Sequence, residues 1–116
     1  MTLLIIFEEY LLIAKMKKIF LVLLAILITA PALADPKMAL GLEVYSNKAQ
    51  CGTCHTLQAA GSKSTIGPNF DQLKPQIPQT VYAVTKGIGV MPAWEGILTF
   101  EEIEAVAYYV FNSTNE

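Results

Sequence analysis

The stretch Gln50-Cys51-Gly52-Thr53-Cys54-His55-Thr56 holds both cysteines and the only histidine of a 116-residue chain. Three chemistries use two thiols and an imidazole at close spacing. A structural zinc site takes about four ligands, usually cysteine or histidine, and this chain has three such residues in all. A thioredoxin-like dithiol needs a strand leading into it and a parallel sheet behind it, whereas the flanks here read as helices. Covalent attachment of a c-type haem is the remaining use of C-x-x-C-H. Two thiols three residues apart can each form a thioether to one haem vinyl group while the adjacent imidazole reaches the iron, so one cofactor consumes all three residues.

Outward from that stretch, the N-terminus accounts for much of the 53% apolar content. Met16-Lys17-Lys18, the apolar run Ile19–Thr29 and the small residues ending at Ala32-Leu33-Ala34 read as the n-region, h-region and cleavage site of an export signal. Residues 1–34 are therefore expected to be a signal region cleaved after Ala34, leaving residues 35–116 as the working domain. Glu8 and Glu9 sit where a basic n-region belongs, so residues 1–15 read as a mis-assigned start and Met16 as the true one. An uncleaved anchor is the alternative, although the run Ile19–Thr29 is short against the roughly 20 residues of a membrane span. Export places the thiols in an oxidising compartment.

From Asp35 onward, five lysines face eight carboxylates, and the whole chain has no arginine. Scattered lysines without a basic stripe cannot neutralise a run of phosphates, which excludes nucleic acid as a partner.

An iron that carries electrons without binding small molecules needs a second axial ligand, and a thioether sulfur also raises its potential. Met38 and Met91 lie beyond the signal. Met38 falls in a helical stretch, where a flexible core filler is the expected role. Met91 lies in Gly87-Ile88-Gly89-Val90-Met91-Pro92-Ala93-Trp94, where the glycines permit positive φ or close backbone approach and Pro92 stiffens the chain after the sulfur.

With CGTCH, IGPN (Ile66–Asn69) and GVMPAW (Gly89–Trp94) in so short a chain, the sequence resembles the small class I bacterial cytochromes c over essentially all of residues 35–116. The resemblance implies one covalently bound haem c, thioethers from Cys51 and Cys54, His55 as the proximal ligand and Met91 as the distal one. It implies further that the Pro68 carbonyl accepts the hydrogen bond of the proximal Nδ1, fixing the tautomer and orientation of the ring. Trp94 would wall the haem with its N–H on a propionate, or simply pack in the core.

The fold class expected is all-α, about four short helices wrapped around one haem. A first helix is expected over Pro36–Ala49, with Leu40, Val44 and Tyr45 on its apolar face. A short helix opens near Asn69 with Phe70 and Leu73 facing inward, and another spans Pro78–Lys86 with Gly87 as its stop. The last helix starts at a Thr99–Glu102 capping box and carries the stripe Ile103, Val106, Ala107, Val110 and Phe111, followed by the polar tail NSTNE. Gly41 and Tyr45 resemble the glycine and aromatic that the family places where the first and last helices cross, and the facing aromatic is Tyr108 or Tyr109. No segment alternates at period two for long enough to suggest a sheet.

Function reads as periplasmic electron transfer, from a dehydrogenase to a terminal oxidase or another cytochrome. The likeness is greatest to the small cytochrome subunits that accept electrons from periplasmic sulfite dehydrogenases, and similar carriers serve other dehydrogenases. The reading from a different class is a gas-binding sensor or small haem enzyme with an open distal site. Such chemistry needs a polar acid–base group beside the iron, and no second histidine and no arginine is there to supply one. A domain of this size has a marginal core and relies on a staple, which the covalent haem provides. Cys51→Ser/Cys54→Ser protein lacking haem should therefore melt without a cooperative helical transition, as followed by far-ultraviolet circular dichroism; a sharp transition would show that the chain needs no staple.

Overall fold

The computed structural model describes residues 2–28 and 34–115 and divides the chain into two units, Met1–Leu33 and Ala34–Glu116. The first unit holds one helix, α1 (Thr2–Ile28), whose apolar side chains, Phe7, Phe20 and Leu23 among them, are exposed. Among the described residues no helix is long and apolar enough to cross a membrane. Ala32 and Leu33 of the expected cleavage signal lie outside the described residues.

The second unit runs through α2 (Pro36–Glu43), a π-helical turn (Val44–Lys48), α3 (Phe70–Leu73), α4 (Ile77–Lys86) and α5 (Phe100–Asn115). Between the π-turn and α3 lie short 3₁₀ turns and a minimal antiparallel pair, β1 (Thr56–Leu57) with β2 (Ser62–Lys63). Two residues per strand are too few to leave an alternating signature, so no sheet was legible in the sequence.

Local chemistry starts each main helix. Asp35 accepts the Lys37 N–H at 2.8 Å and Pro36 enters the first turn with its φ already set. The other Asp35 oxygen accepts the Tyr108 hydroxyl at 3.0 Å, which ties the start of α2 to α5. α2 gives way at Val44 to the π-turn, closed by the Ala49 N–H on the Val44 carbonyl at 2.9 Å, so the expected single helix is α-helical only to Glu43. At the head of α5 the Thr99–Glu102 capping box forms in both directions, at 2.9 and 3.2 Å, and Glu102 also pairs with Lys48.

These contacts hold the Glu102 carboxyl below its ordinary pKa, through Lys48 first and the Thr99 N–H second; the Lys37 N–H and the Tyr108 hydroxyl do the same for Asp35. A depressed carboxyl contributes stability above its unfolded pKa and loses it as pH falls through the folded value. Both contributions are therefore intact at neutral pH and fade on acidification.

α5 packs against α2 and α4, and the crossing with α2 is set by Gly41. A Cβ at Gly41 would overlap the Ala105 carbonyl oxygen and the Tyr109 Cβ, so the two backbones touch there without a side chain between them. Tyr45 and Tyr109 meet at 5.9 Å between ring centroids, tilted by 59°. Tyr109 is thus the facing aromatic, while Tyr108 turns outward to Asp35. Val44, Leu57, Val106 and Val110 fill the fully buried centre, and Met38 packs half-buried against it as a core filler.

Two further expectations need correction. Leu73 is 57% exposed and does not face inward, because α3 is a single turn ended by Lys74 at φ 46° and only Phe70 takes an interior place. The tail after Phe111 continues α5 to Asn115, held by the buried Thr114 hydroxyl donating to the Val110 carbonyl at 3.0 Å.

Gly41→Leu in the haem-loaded domain should cost about 1–3 kcal/mol or more by overpacking, lowering Tm by roughly 4–8 °C per kcal/mol for a domain of this size. Calorimetry checks it; a Tm within a degree of the parent would mean that the helices slide apart freely.

Candidate haem-attachment site

The π-turn delivers the chain to Gln50, whose φ of 49° ends the helical path and turns Cys51–Thr53 into a 3₁₀ turn. Along that turn Cys51 is half-buried against the core and Cys54 is exposed, both as free thiols. Burial pushes the Cys51 thiol up to about 11. It is therefore a neutral thiol at pH 7. No cluster of three or more histidine, cysteine, aspartate or glutamate side chains able to hold a metal ion occurs among the described residues.

His55 is 7% exposed, and its surroundings fix the ring. Nδ1 lies 2.8 Å from the Pro68 carbonyl oxygen. A carbonyl only accepts, so Nδ1 carries the hydrogen, and a neutral imidazole then keeps its free lone pair on Nε2. Phe70 stacks on the ring at 4.2 Å and 15°. Gly67 crowds it as well: a Cβ there would lie 2.6 Å from Cε1 and 2.9 Å from Nδ1. The Gly67 N–H donates to the Cys54 carbonyl at 2.6 Å, so the segment carrying Pro68 is anchored directly to the C-x-x-C-H turn. The sequence reading picked out Pro68 but missed Gly67 and Phe70 as ring contacts. The glycine of Ile66-Gly67-Pro68-Asn69 was the available signal, and Phe70 had been read only as core.

Met91 and Trp94 form a second group. The Ile88–Met91 turn closes with Ile88 N–H to Met91 O at 3.1 Å and Met91 N–H to Ile88 O at 3.0 Å. Met91 and Trp94 are half-buried and pack against the same apolar cluster as Cys51 and Phe70. Trp94 thus has a core-packing role, and its backbone N–H donates to the Val84 carbonyl at 2.9 Å. His55 with Pro68 and Met91 with Trp94 are each assembled locally, at opposite ends of the sequence between α2 and α5.

The residues fit a covalent haem on their own geometry. Two unpaired thiols precede a buried imidazole whose one free nitrogen lone pair is aimed by the hydrogen bond on its other nitrogen, which is the donor set that such a group requires. The family described as cytochrome C oxidase, cbb3-type, subunit III matches residues 36–110. The chain is a small class I c-type cytochrome. Its cofactor is covalently bound haem c, and its work is electron transfer rather than conversion of a substrate.

Among relatives of this cytochrome, cytochrome c6 of Tetradesmus obliquus is 33% identical over 88 residues, covering 67% of this chain and 92% of its own. Chloroplastic cytochrome c6 of Chlamydomonas reinhardtii is 32% identical over 90 residues, 68% of this chain, and the match spans only 56% of that relative's length. The crystal structure of the c-type cytochrome SorU from Sinorhizobium meliloti is similar with a TM-score of 0.65 and 48% identity, covering 70% of this chain and 94% of that one. The all-α cytochrome fold expected from the sequence is thereby shown.

Gly67→Ala should force the imidazole or the Pro68 segment to move. The haem-loaded variant is expected to lose about 1–3 kcal/mol of stability and to shift its reduction potential, read by thermal melting and by redox titration. Both values unchanged would mean that the ring has room to spare.

Proposed function

We propose that this cytochrome is an exported, freely diffusing carrier with His55 and Met91 as axial ligands, taking single electrons from a periplasmic dehydrogenase and giving them to a terminal oxidase or another cytochrome. Residues 1–34 serve as the export signal in this reading, and Asp35, which caps α2, becomes the first residue of the working protein.

The observation that carries the ligand pair is the Nδ1 hydrogen bond to Pro68, which leaves Nε2 as the only ring nitrogen able to bind a metal. The closed Ile88–Met91 turn supports the second ligand, because it presents a thioether from a stiff segment. The bound haem supplies the one-electron couple. The protein's share is to fix the imidazole's tautomer and plane, to hold the thioether, and to keep both ligands in place between oxidation states so that little rearrangement accompanies transfer. With His55 and Met91 both held on the iron, no place would be left there for an exogenous ligand.

Docking in this reading depends little on charge. Ile88 and Val90 stand exposed in the Met91 turn, Val90 at 94%, and Ile97 in the turn after Trp94, while the flanking charges Lys86 and Glu95 pair at 2.8 Å. Complementary charge mainly sets association rate, and here the visible surface near the ligand loop is apolar or self-neutralised. Small, weak interfaces suit a carrier that must leave quickly. A periplasmic sulfite dehydrogenase is the donor to try first, on the resemblance carried by CGTCH, IGPN and GVMPAW.

The test is the optical spectrum of the reduced protein with and without carbon monoxide at neutral pH. Wild type should be unchanged by carbon monoxide, and Met91→Ala should bind it and show a lowered potential. Complete conversion of wild type would overturn the ligand assignment and favour an open, gas-binding site. Electron-transfer rates with the donor should change by less than the roughly 10-fold minimum typical of steered pairs as salt rises, measured by stopped flow.

A further inference from the structure

We infer that Gly87, with the Lys86–Glu95 ion pair beside it, is the clasp that positions Met91, an inference resting on Met91 as the distal ligand. α4 ends at Lys86, and Gly87 takes φ 71° and ψ 160° with its N–H on the Ala83 carbonyl at 2.8 Å. The chain then reverses at once. Ile88 and Met91 exchange both backbone hydrogen bonds, with Gly89 at φ 58° as the first residue of the two-residue tip, the pattern of a II′ turn.

The returning strand lands on the end of α4. Trp94 N–H caps the Val84 carbonyl at 2.9 Å, Glu95 N–H approaches the Thr85 carbonyl at 3.4 Å, and the Lys86 ammonium reaches Glu95 Oε2 at 2.8 Å. Gly87 lies where the outgoing and returning chains touch. A Cβ there would sit 2.6 Å from Met91 O, 2.8 Å from Ala93 N and 2.9 Å from Pro92 C. All three are backbone atoms of the segment that bears the thioether, so none can swing aside as the end of a side chain would. Pro92 has a fixed φ, so a displacement at Gly87 passes to Met91 itself.

Gly89 supplies the control. Its φ of 58° is also positive and would also strain an alanine, yet a Cβ at Gly89 would meet nothing within 4 Å. Backbone strain is therefore common to the two positions, and contact with the Met91 segment belongs to Gly87 alone.

The experiment compares haem-loaded wild type, Gly87→Ala and Gly89→Ala. It reads the near-infrared sulfur-to-iron charge-transfer band of the oxidised protein, carbon monoxide uptake by the reduced protein, and reduction potential, with far-ultraviolet circular dichroism as the check on fold. Wild type and Gly89→Ala should keep the band and refuse carbon monoxide. Gly87→Ala should lose the band, take up carbon monoxide and fall in potential while its helices persist. Retention of the band and potential in Gly87→Ala, or equal loss in Gly89→Ala, would overturn the inference while leaving Met91 ligation standing. Absence of the band in wild type would remove the Met91 reading itself, and the clasp with it. Should Gly87→Ala fail to fold, Glu95→Lys addresses the same clasp from the surface. It should admit carbon monoxide that the parent refuses, with the exchanged pair Lys86→Glu/Glu95→Lys restoring the refusal; refusal by all three would again overturn it.

Discussion

The backbone contact between α2 and α5 at Gly41 is the constraint on which the domain depends. With no side chain at that point, Ala105 and Tyr109 come against the α2 backbone, and Tyr45 can lie on Tyr109. Everything between Lys48 and Thr99 is then strung across a frame fixed at its two ends. The frame is reinforced at its rim by the Lys48–Glu102 pair and at its start by Asp35 on Tyr108. Few of the intervening segments are regular, so it is this crossing, with the apolar cluster beneath it, that sets where they lie.

The two halves of the chain strung across that frame, the one bearing His55 and the one bearing Met91, use different devices. On the His55 side a glycine–proline segment is pinned by its own N–H to the C-x-x-C-H turn, and its next carbonyl fixes the imidazole. Orientation there comes from hydrogen bonds around a ring that Gly67 and Phe70 hold in place. On the Met91 side the device is chain reversal: the end of α4 is capped by the strand that returns from the methionine. One half restricts a side chain and the other restricts a backbone. In the Met91 turn the exposed side chains, Ile88 and Val90, are apolar.

Much of this was legible because the decisive residues are scarce or have strong local preferences. Two cysteines and a histidine in five positions left few chemistries open, the Thr99–Glu102 box marked the head of α5, and Gly87 marked the end of α4. The misreadings have physical causes. A π-turn has the same apolar spacing as the helix it extends, so the change at Val44 leaves no trace in periodicity. Leu73 was placed inside by its spacing from Phe70, but a helix of one turn does not persist long enough for that spacing to decide a face. The polar residues after Phe111 looked like a tail because Thr114 can return its hydroxyl to the helix, a bond that composition does not register.

The sequence by itself determined the cofactor chemistry and the helical class, because covalent spacing, capping and helical periodicity are properties of neighbours along the chain. The tertiary structure alone decided which tyrosine faces Tyr45, which atoms crowd the imidazole, and which atoms meet at Gly87. Those depend on atoms distant in sequence or on the path of a returning loop, and a glycine in a sequence does not say which atom its missing side chain makes room for.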